Sequence, residues 1–320
     1  MKLFKNILVI ADEASMSDSV LDRAKWLAQS NDARLTLLDI IDASPDDLEG
    51  MFAVLPGRRA RDIQDAVMAF HAQRLEGFAR TLRESGVEVS TRVLNGTSFI
   101  QAIRQVLTEG HDLVLKGADQ GPDRPFLRAP DLHLLRKCPC PVWILNGEAR
   151  AKSGRIMATV DPDPQDRARD ALNHRVMELA TSLAQQEGAK LDVLNAWHVH
   201  EESTLRHSFI KMPADEIQSI ISGEQTKSSQ RLAHLMAGFR EFGDSMRVLH
   251  IKGIAADVIP EHVDSEGIDT LVMGTLGRTG ISGFFIGNTA ETILNRVSCS
   301  VLAIKPEGFV SPVQLEDGEQ

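Results

Sequence analysis

Short, nearly continuous apolar runs alternate along this chain with longer stretches whose apolar residues recur every three or four positions. Ile7-Leu8-Val9-Ile10, Leu35 to Leu38, Leu113 to Leu115 and Val142 to Leu145 are of the first kind. Runs of that length suit strands buried on both faces of a parallel sheet. Between them lie helical stretches, and the two longest carry predicted core stripes: Ile63, Val67 and Phe70 in one, Leu232, Met236 and Phe239 in the other.

The pattern is written twice. Ile7 to Asp12 is matched by Ile156 to Asp161, each an apolar run ending in Asp. Leu27-Ala28-Gln29 followed by Ala33 to Asp39 is echoed by Leu183-Ala184-Gln185 followed by Ala189 to Asn195. His111 to Gly117 aligns with Ile268 to Gly274, and Cys140 to Leu145 with Cys299 to Ile304, with the joint near Gly147 to Ser153. Each repeat reads as strands alternating with helices, which predicts an α/β fold: two tandem domains, each an open five-stranded, mainly parallel sheet with helices on both faces. The boundaries fall at 1–147, 153–307 and a polar, acidic tail over 308–320. The last strands, Val142 to Leu145 and Val301 to Ile304, are apolar enough that an exposed edge would invite aggregation, so they should lie at or near the seam of an intrachain pseudo-dimer.

One loop stands apart from this scaffold. Gly274-Thr275-Leu276-Gly277 follows the apolar Leu271-Val272-Met273, and nine residues after Gly277 come Gly287-Asn288, where Asn288 with Glu291 reads as an N-cap and capping box. Glycine lets backbone amides approach an anion, and a helix start adds unpaired donors and positive dipole. In an open parallel sheet a ligand lies beyond the carboxyl ends of the strands where strand order reverses, here between the first and fourth strands of the repeat. Asp161 ends one and Gly274 the other. In this reading Asp161 with Pro162 flanks a base or ribose, Val160 and Ala196 give apolar contact, and Gly274, Gly277, Gly287, Asn288 and Thr289 receive phosphates. A helix dipole contributes only about 0.3–1 kcal/mol, whereas micromolar binding needs roughly 8 kcal/mol, so several convergent donors are required. The alternative is a glycine-rich connection that serves turns and close packing without a ligand. In the first repeat Gln120 replaces Gly277, Arg128 replaces Gly287, and Pro130 removes an amide. That half is expected not to bind nucleotide.

The spacing G-x-x-G, nine residues, then G with a small polar residue resembles the nucleotide-binding signature of the universal stress protein family; this chain has Asn288 where the family usually has Ser or Thr. The resemblance spans the whole chain and is nearest the tandem, two-domain bacterial type, carried also by His133 to Trp143, Gly277-Arg278-Thr279-Gly280-Ile281-Ser282 and Ser311-Pro312-Val313. It implies the adenine-nucleotide α-hydrolase-like fold and an adenine nucleotide, ATP with magnesium, in the C-terminal half. The site residues it implies are Val160, Asp161, Pro162, Ala196, Met273, Gly274, Gly277, Arg278, Gly287, Asn288 and Thr289. It further implies a cytoplasmic binding or regulatory protein, more than an enzyme, of stress resistance, starvation survival, the DNA damage response and adhesion or motility. A slow ATPase or phosphotransferase using the same pocket, and a scaffold holding an apolar or unknown metabolite, remain the alternatives. Unidentified protein partners and a homodimer stay open.

Composition narrows this further. The chain has 320 residues and a formal net charge of −10, which argues against nucleic acid as a direct partner. No apolar stretch approaches the roughly 20 residues of a membrane span, and the start reads as a first strand rather than a signal peptide. Three cysteines fit a reducing compartment. Cys138-Pro139-Cys140 with His133 admits zinc, but no second ligand pair accompanies it, so packing is favoured and no structural metal is expected. His198 and His200 follow the second strand of the later repeat without a visible acid to orient them.

Overall fold

The computed structural model describes residues 3–42, 60–118, 127–146, 152–199, 202, 212–275 and 287–315. In the N-terminal half, β1 (Asn6–Ile10), β2 (Arg34–Ile41), β3 (Val89–Asn95), β4 (Leu113–Gly117) and β5 (Val142–Leu145) alternate with α1 (Asp18–Asn31), α2 (Ala60–Glu84), α3 (Ser98–Glu109) and α4 (Ala129–Lys137). The C-terminal half repeats the plan with β6 (Arg155–Thr159), β7 (Lys190–Trp197), β8 (Met246–Lys252), β9 (Thr270–Gly274) and β10 (Ser300–Ile304). Its helices are α5 (Arg167–Glu187), α6 (Ala214–Met236), α7 (Ala255–Glu266) and α8 (Asn288–Leu294). Each repeat starts its first helix from a polar side chain that meets the orphan amides: Ser17 Oγ accepts from Val20 N, and Asp166 Oδ1 accepts from Arg169 N at 3.1 Å.

Among the described residues the strands form one ten-stranded sheet in the order β3-β2-β1-β4-β5-β10-β9-β6-β7-β8. Pairing is parallel within each half. The halves meet where β5 and β10 pair antiparallel, with Val142, Trp143 and Ile144 opposite Ala303, Leu302 and Val301. The two apolar edge strands thus cover each other.

Alternate residues of the strands feed two cores that both cross this seam. Val9, Leu37, Leu115, Trp143, Ala158, Val193, Val272 and Leu302 face one layer of helices, and Leu8, Leu38, Val114, Ile144, Met157, Leu194, Leu271 and Val301 face the other. A buried ion pair also joins the halves: Arg23 on α1 reaches Glu187 at the end of α5 at 2.6 Å, with side-chain exposures of 2% and 0%. The Arg23 guanidinium lies over the Trp143 ring at 4.8 Å. Burial lowers the pKa of Arg23 and raises that of Glu187, and each partner counters the other's desolvation.

One feature departs from the sequence reading. On α2, Phe70 is 63% exposed and Val67 half-buried, while Ile63's side chain lies outside the described residues; the buried stripe is Leu75, Ala79 and Leu82. The helix packs through its C-terminal half, and it contacts β2 and β3. On α6 and the 3-10 turn after it, Leu232 and Phe239 are buried as expected. Ahead of the last residues, Val313 packs against the second core, and Gln314 O accepts from Arg104 Nε of α3 at 3.1 Å. Residues 316–320 lie outside the described set.

Candidate nucleotide site at the switch point of the C-terminal half

β6 pairs β7 on one side and β9 on the other, so the strand order of this half reverses between β6 and β9. At the carboxyl end of β6, Asn173 of α5 clamps the turn. Its Oδ1 accepts from Asp161 N at 2.8 Å and its Nδ2 donates to Asp161 O at 3.0 Å. That fixes the backbone and leaves the Asp161 side chain 49% exposed, 3.9 Å from Arg169 Nη1. Pro162 is buried behind it.

The apolar positions divide between the faces of the sheet. Ala196 and Met273 are buried in the core beneath α7 and α8, whereas Val160 packs into the opposite core. The end of β6 is held by a residue that the sequence reading passed over. Asn195 Nδ2 donates to Val160 O at 2.9 Å, and Asn195 Oδ1 accepts from Ser228 Oγ at 3.1 Å, with His250 Nε2 3.0 Å from that hydroxyl. Burial lowers the His250 pKa, which favours a neutral ring. In the other half Asp39, at the matching repeat position, binds His71 Nδ1 and Arg74 Nη2 at 2.6 Å, and Arg74 donates to Ala11 O. The same strand-end carbonyl is satisfied twice, by different chemistry.

The glycines act partly through packing. A Cβ on Gly274 would stand 2.7 Å from Leu172 Cδ2 of α5, and one on Gly117 would stand 2.1 Å from the Ser15 carbonyl oxygen. Both glycines therefore let the first helix of the repeat, or the loop leading to it, close against the fourth strand. Gly287 is the N-cap of α8, and its amide donates to Thr275 O at 3.2 Å. Asn288 is consequently the first helical residue and not the cap, and the expected capping box is absent: no side chain caps this helix, and Glu291 pairs with Arg136 of α4. Asn288 and Thr289 are exposed at the helix start, their side chains unused by capping. Gly277 and Arg278 lie outside the described residues.

The matching place in the N-terminal half is filled from within. Lys116 stands where the C-terminal half has Met273, and Asp131 of α4 where it has Ala290. Lys116 Nζ is 2.9 Å from Asp131 Oδ1 and 3.9 Å from Asp12 Oδ2, and Asp131 Oδ2 accepts from Arg128 N at 3.0 Å. Lys116 is 4% exposed and Asp131 1%. A carboxylate of the chain itself occupies the start of α4.

Cys138 and Cys140 are buried with thiols 3.6 Å apart, and His133 stacks on Phe99 instead of turning toward them. The hydrogen bond from Cys138 and then burial push the Cys140 thiol up, and burial pushes Cys299 up to about 12. Among the described residues no helix is long and apolar enough to cross a membrane. His200 lies outside them.

A doubly wound repeat whose strand order reverses between its first and fourth strands defines an α/β class in which function sits at the strand ends. The sequence profile of the universal stress protein family matches residues 3–146 and again 153–305, and the chain belongs to that family of stress-response proteins. It is 29% identical to universal stress protein E of Escherichia coli strain K12 over 325 aligned residues, covering 100% of this chain and 99% of the relative. It is 28% identical to the universal stress protein E homolog of Haemophilus influenzae, over 95% of this chain and 98% of that one. Among solved structures, a putative universal stress protein from Pseudomonas aeruginosa UCBPP-PA14 superposes with a TM-score of 0.71 at 26% identity, over 96% of this chain and 95% of the other. A universal stress protein from Archaeoglobus fulgidus shares the fold with a TM-score of 0.63 at 14% identity, over 93% and 98% of the two chains.

Proposed function

We propose that this chain is a nucleotide-responsive binding protein of stress resistance that takes one adenine nucleotide, ATP, at the switch point of its C-terminal half. The observation that carries the reading is the contrast between the halves. At the start of α4 the anion is built in as Asp131, neutralised by Lys116; at the start of α8 the equivalent residues are Ala290 and Met273, so no carboxylate stands at the equivalent position, and Glu291 in the first turn is turned to Arg136. An uncapped helix start with exposed Asn288 and Thr289, beside the strand end that Gly274 lets α5 approach closely, is a place where an anion from solution gains convergent donors. Asp161 is poised for a ribose hydroxyl, and Ala196 with Met273 gives the apolar floor. Gly277 and Arg278 join the site on the sequence motif.

Calorimetric titration of the full chain tests this. One ATP per chain is expected, and Gly277→Val, which adds branched bulk where phosphate meets backbone, should abolish the heat of binding while far-ultraviolet circular dichroism is retained. Gln120→Val at the matching N-terminal position should leave binding unchanged. No ATP binding by the wild type, two ATP per chain, or undiminished affinity in Gly277→Val would overturn the assignment.

A further inference from the structure

Lys305 is the first residue after β10, and it is 8% exposed. Its Nζ donates to Thr275 Oγ1 at 3.0 Å and lies 4.9 Å from the centre of the Phe309 ring, and among the described residues no carboxylate pairs with it. The other deeply buried cations of the chain are matched differently: Arg23 meets Glu187 and Lys116 meets Asp131. A buried ammonium with only a hydroxyl and a ring face for company among the described residues is unfavourable in isolation, and it gains more from an incoming anion than a surface lysine does. Burial holds its pKa down to about 7.

Its place decides which anion. Thr275 follows Gly274 directly; its amide donates to Ile304 O at 3.1 Å, and its carbonyl accepts from Gly287 N. Lys305 Nζ therefore sits at the residue that bridges the end of β9 to the start of α8. In the N-terminal half Asn146 holds the equivalent position, and it has no charge to offer. Asn146 N donates to Ser300 Oγ at 3.1 Å and its side chain donates to Ser298 O.

We propose that Lys305 is the cationic contact for the phosphate chain of the nucleotide and sets the preference of the site for a phosphorylated nucleotide over the bare nucleoside. This rests on the nucleotide reading given above. It adds a buried cation to the glycines, the helix start and Arg278 of that reading.

The test titrates the full chain with ATP, AMP and adenosine, for wild type, Lys305→Met, Lys305→Gln and Lys305→Arg. One charge-assisted hydrogen bond corresponds to about a ten- to hundredfold change in affinity. Lys305→Met and Lys305→Gln should lose that much toward ATP, keep their adenosine affinity, and so lose the wild-type preference for ATP; Lys305→Arg should retain most of it. Thermal unfolding provides a readout that a merely structural lysine would not give. Without nucleotide the Met variant should melt higher than wild type, because a buried charge is gone, yet it should gain less on adding ATP. Lys305→Met and Lys305→Gln binding ATP as tightly as wild type would overturn the Lys305 assignment and leave the site reading standing. Equal losses toward ATP and adenosine would overturn it too, as a general pocket defect. A wild type that binds none of the three would overturn the site reading itself, and this one with it.

Discussion

The built-in anion of the N-terminal half can be tested by a double-mutant cycle on Lys116 and Asp131. Lys116→Met and Asp131→Ala install the residues that the C-terminal half carries at the same repeat positions. The pair is 2.9 Å apart with 4% and 1% exposure, so each single substitution strands a buried charge. Removing one member of such a pair costs about 3–5 kcal/mol. Lys116→Met should fall within that range, because Asp131 keeps only the Arg128 amide among the partners described above. Asp131→Ala should cost about 3 kcal/mol, the lower end, since Asp12 remains 3.9 Å from Lys116 and the lysine can shed its proton. The double variant has no stranded charge and should lie close to wild type, giving a coupling energy of about 6–8 kcal/mol, the sum of the two single losses. Guanidinium unfolding followed by tryptophan fluorescence reads this, since Trp26 and Trp143 both belong to the N-terminal half. Additive losses, or single variants within about 1 kcal/mol of wild type, would refute the claim that this pair replaces a ligand.

Two further outcomes are expected. Cys138→Ala with Cys140→Ala should leave the fold intact at a cost of about 1–3 kcal/mol of packing, read by chemical unfolding; stoichiometric zinc that vanishes with the pair would contradict this. Lys305 has a folded pKa of about 7 against an ordinary value of 10.5, so between those values the unfolded state binds more protons and stability rises with pH. Its contribution is complete above the unfolded value and lost as pH falls through about 7. Between pH 7 and about pH 9 the nucleotide-free protein should gain about 2 kcal/mol more than Lys305→Met does; parallel unfolding curves for the two across that interval would contradict the assignment.

Much of the fold was legible because parallel strands buried on both faces must be apolar throughout, as Ile7 to Ile10 and Leu271 to Met273 are, and because the repeat supplied the register twice. The seam was legible from Val142 to Leu145 and Val301 to Ile304, whose edges had to be covered. Helical spacing marks a face, though, and does not say which part of a 25-residue helix the sheet reaches, so on α2 Phe70 was read as core in place of Leu75, Ala79 and Leu82. The cap of α8 was placed one residue late, since Gly287 holds an extended backbone that needs no side chain while Asn288 has the composition of a cap. Lys116 and Asp131 lie on different elements, with Pro122, Pro125 and Pro130 in the sequence between them, and no spacing rule joins them. Lys305 is a single polar residue after an apolar strand; only its burial and its contact with Thr275 distinguish it from a solvated lysine.

The antiparallel pairing of β5 with β10 sets the two halves back to back, so the residues that end these strands, Asn146 and Lys305, occupy equivalent places at opposite ends of one seam. Asn146 turns its amide to the segment just before β10, closing the interface. Lys305 instead turns toward Thr275 within its own half. Cations and anions are thereby sorted: the N-terminal half holds a cation on its fourth strand with an anion on the following helix, and the C-terminal half holds a cation after its fifth strand with no carboxylate paired to it among the described residues. A half that contains both charges is complete without a ligand. A half whose buried cation has no carboxylate partner among the described residues is completed when an anion arrives, and that asymmetry leads us to expect one nucleotide for two domains of the same fold.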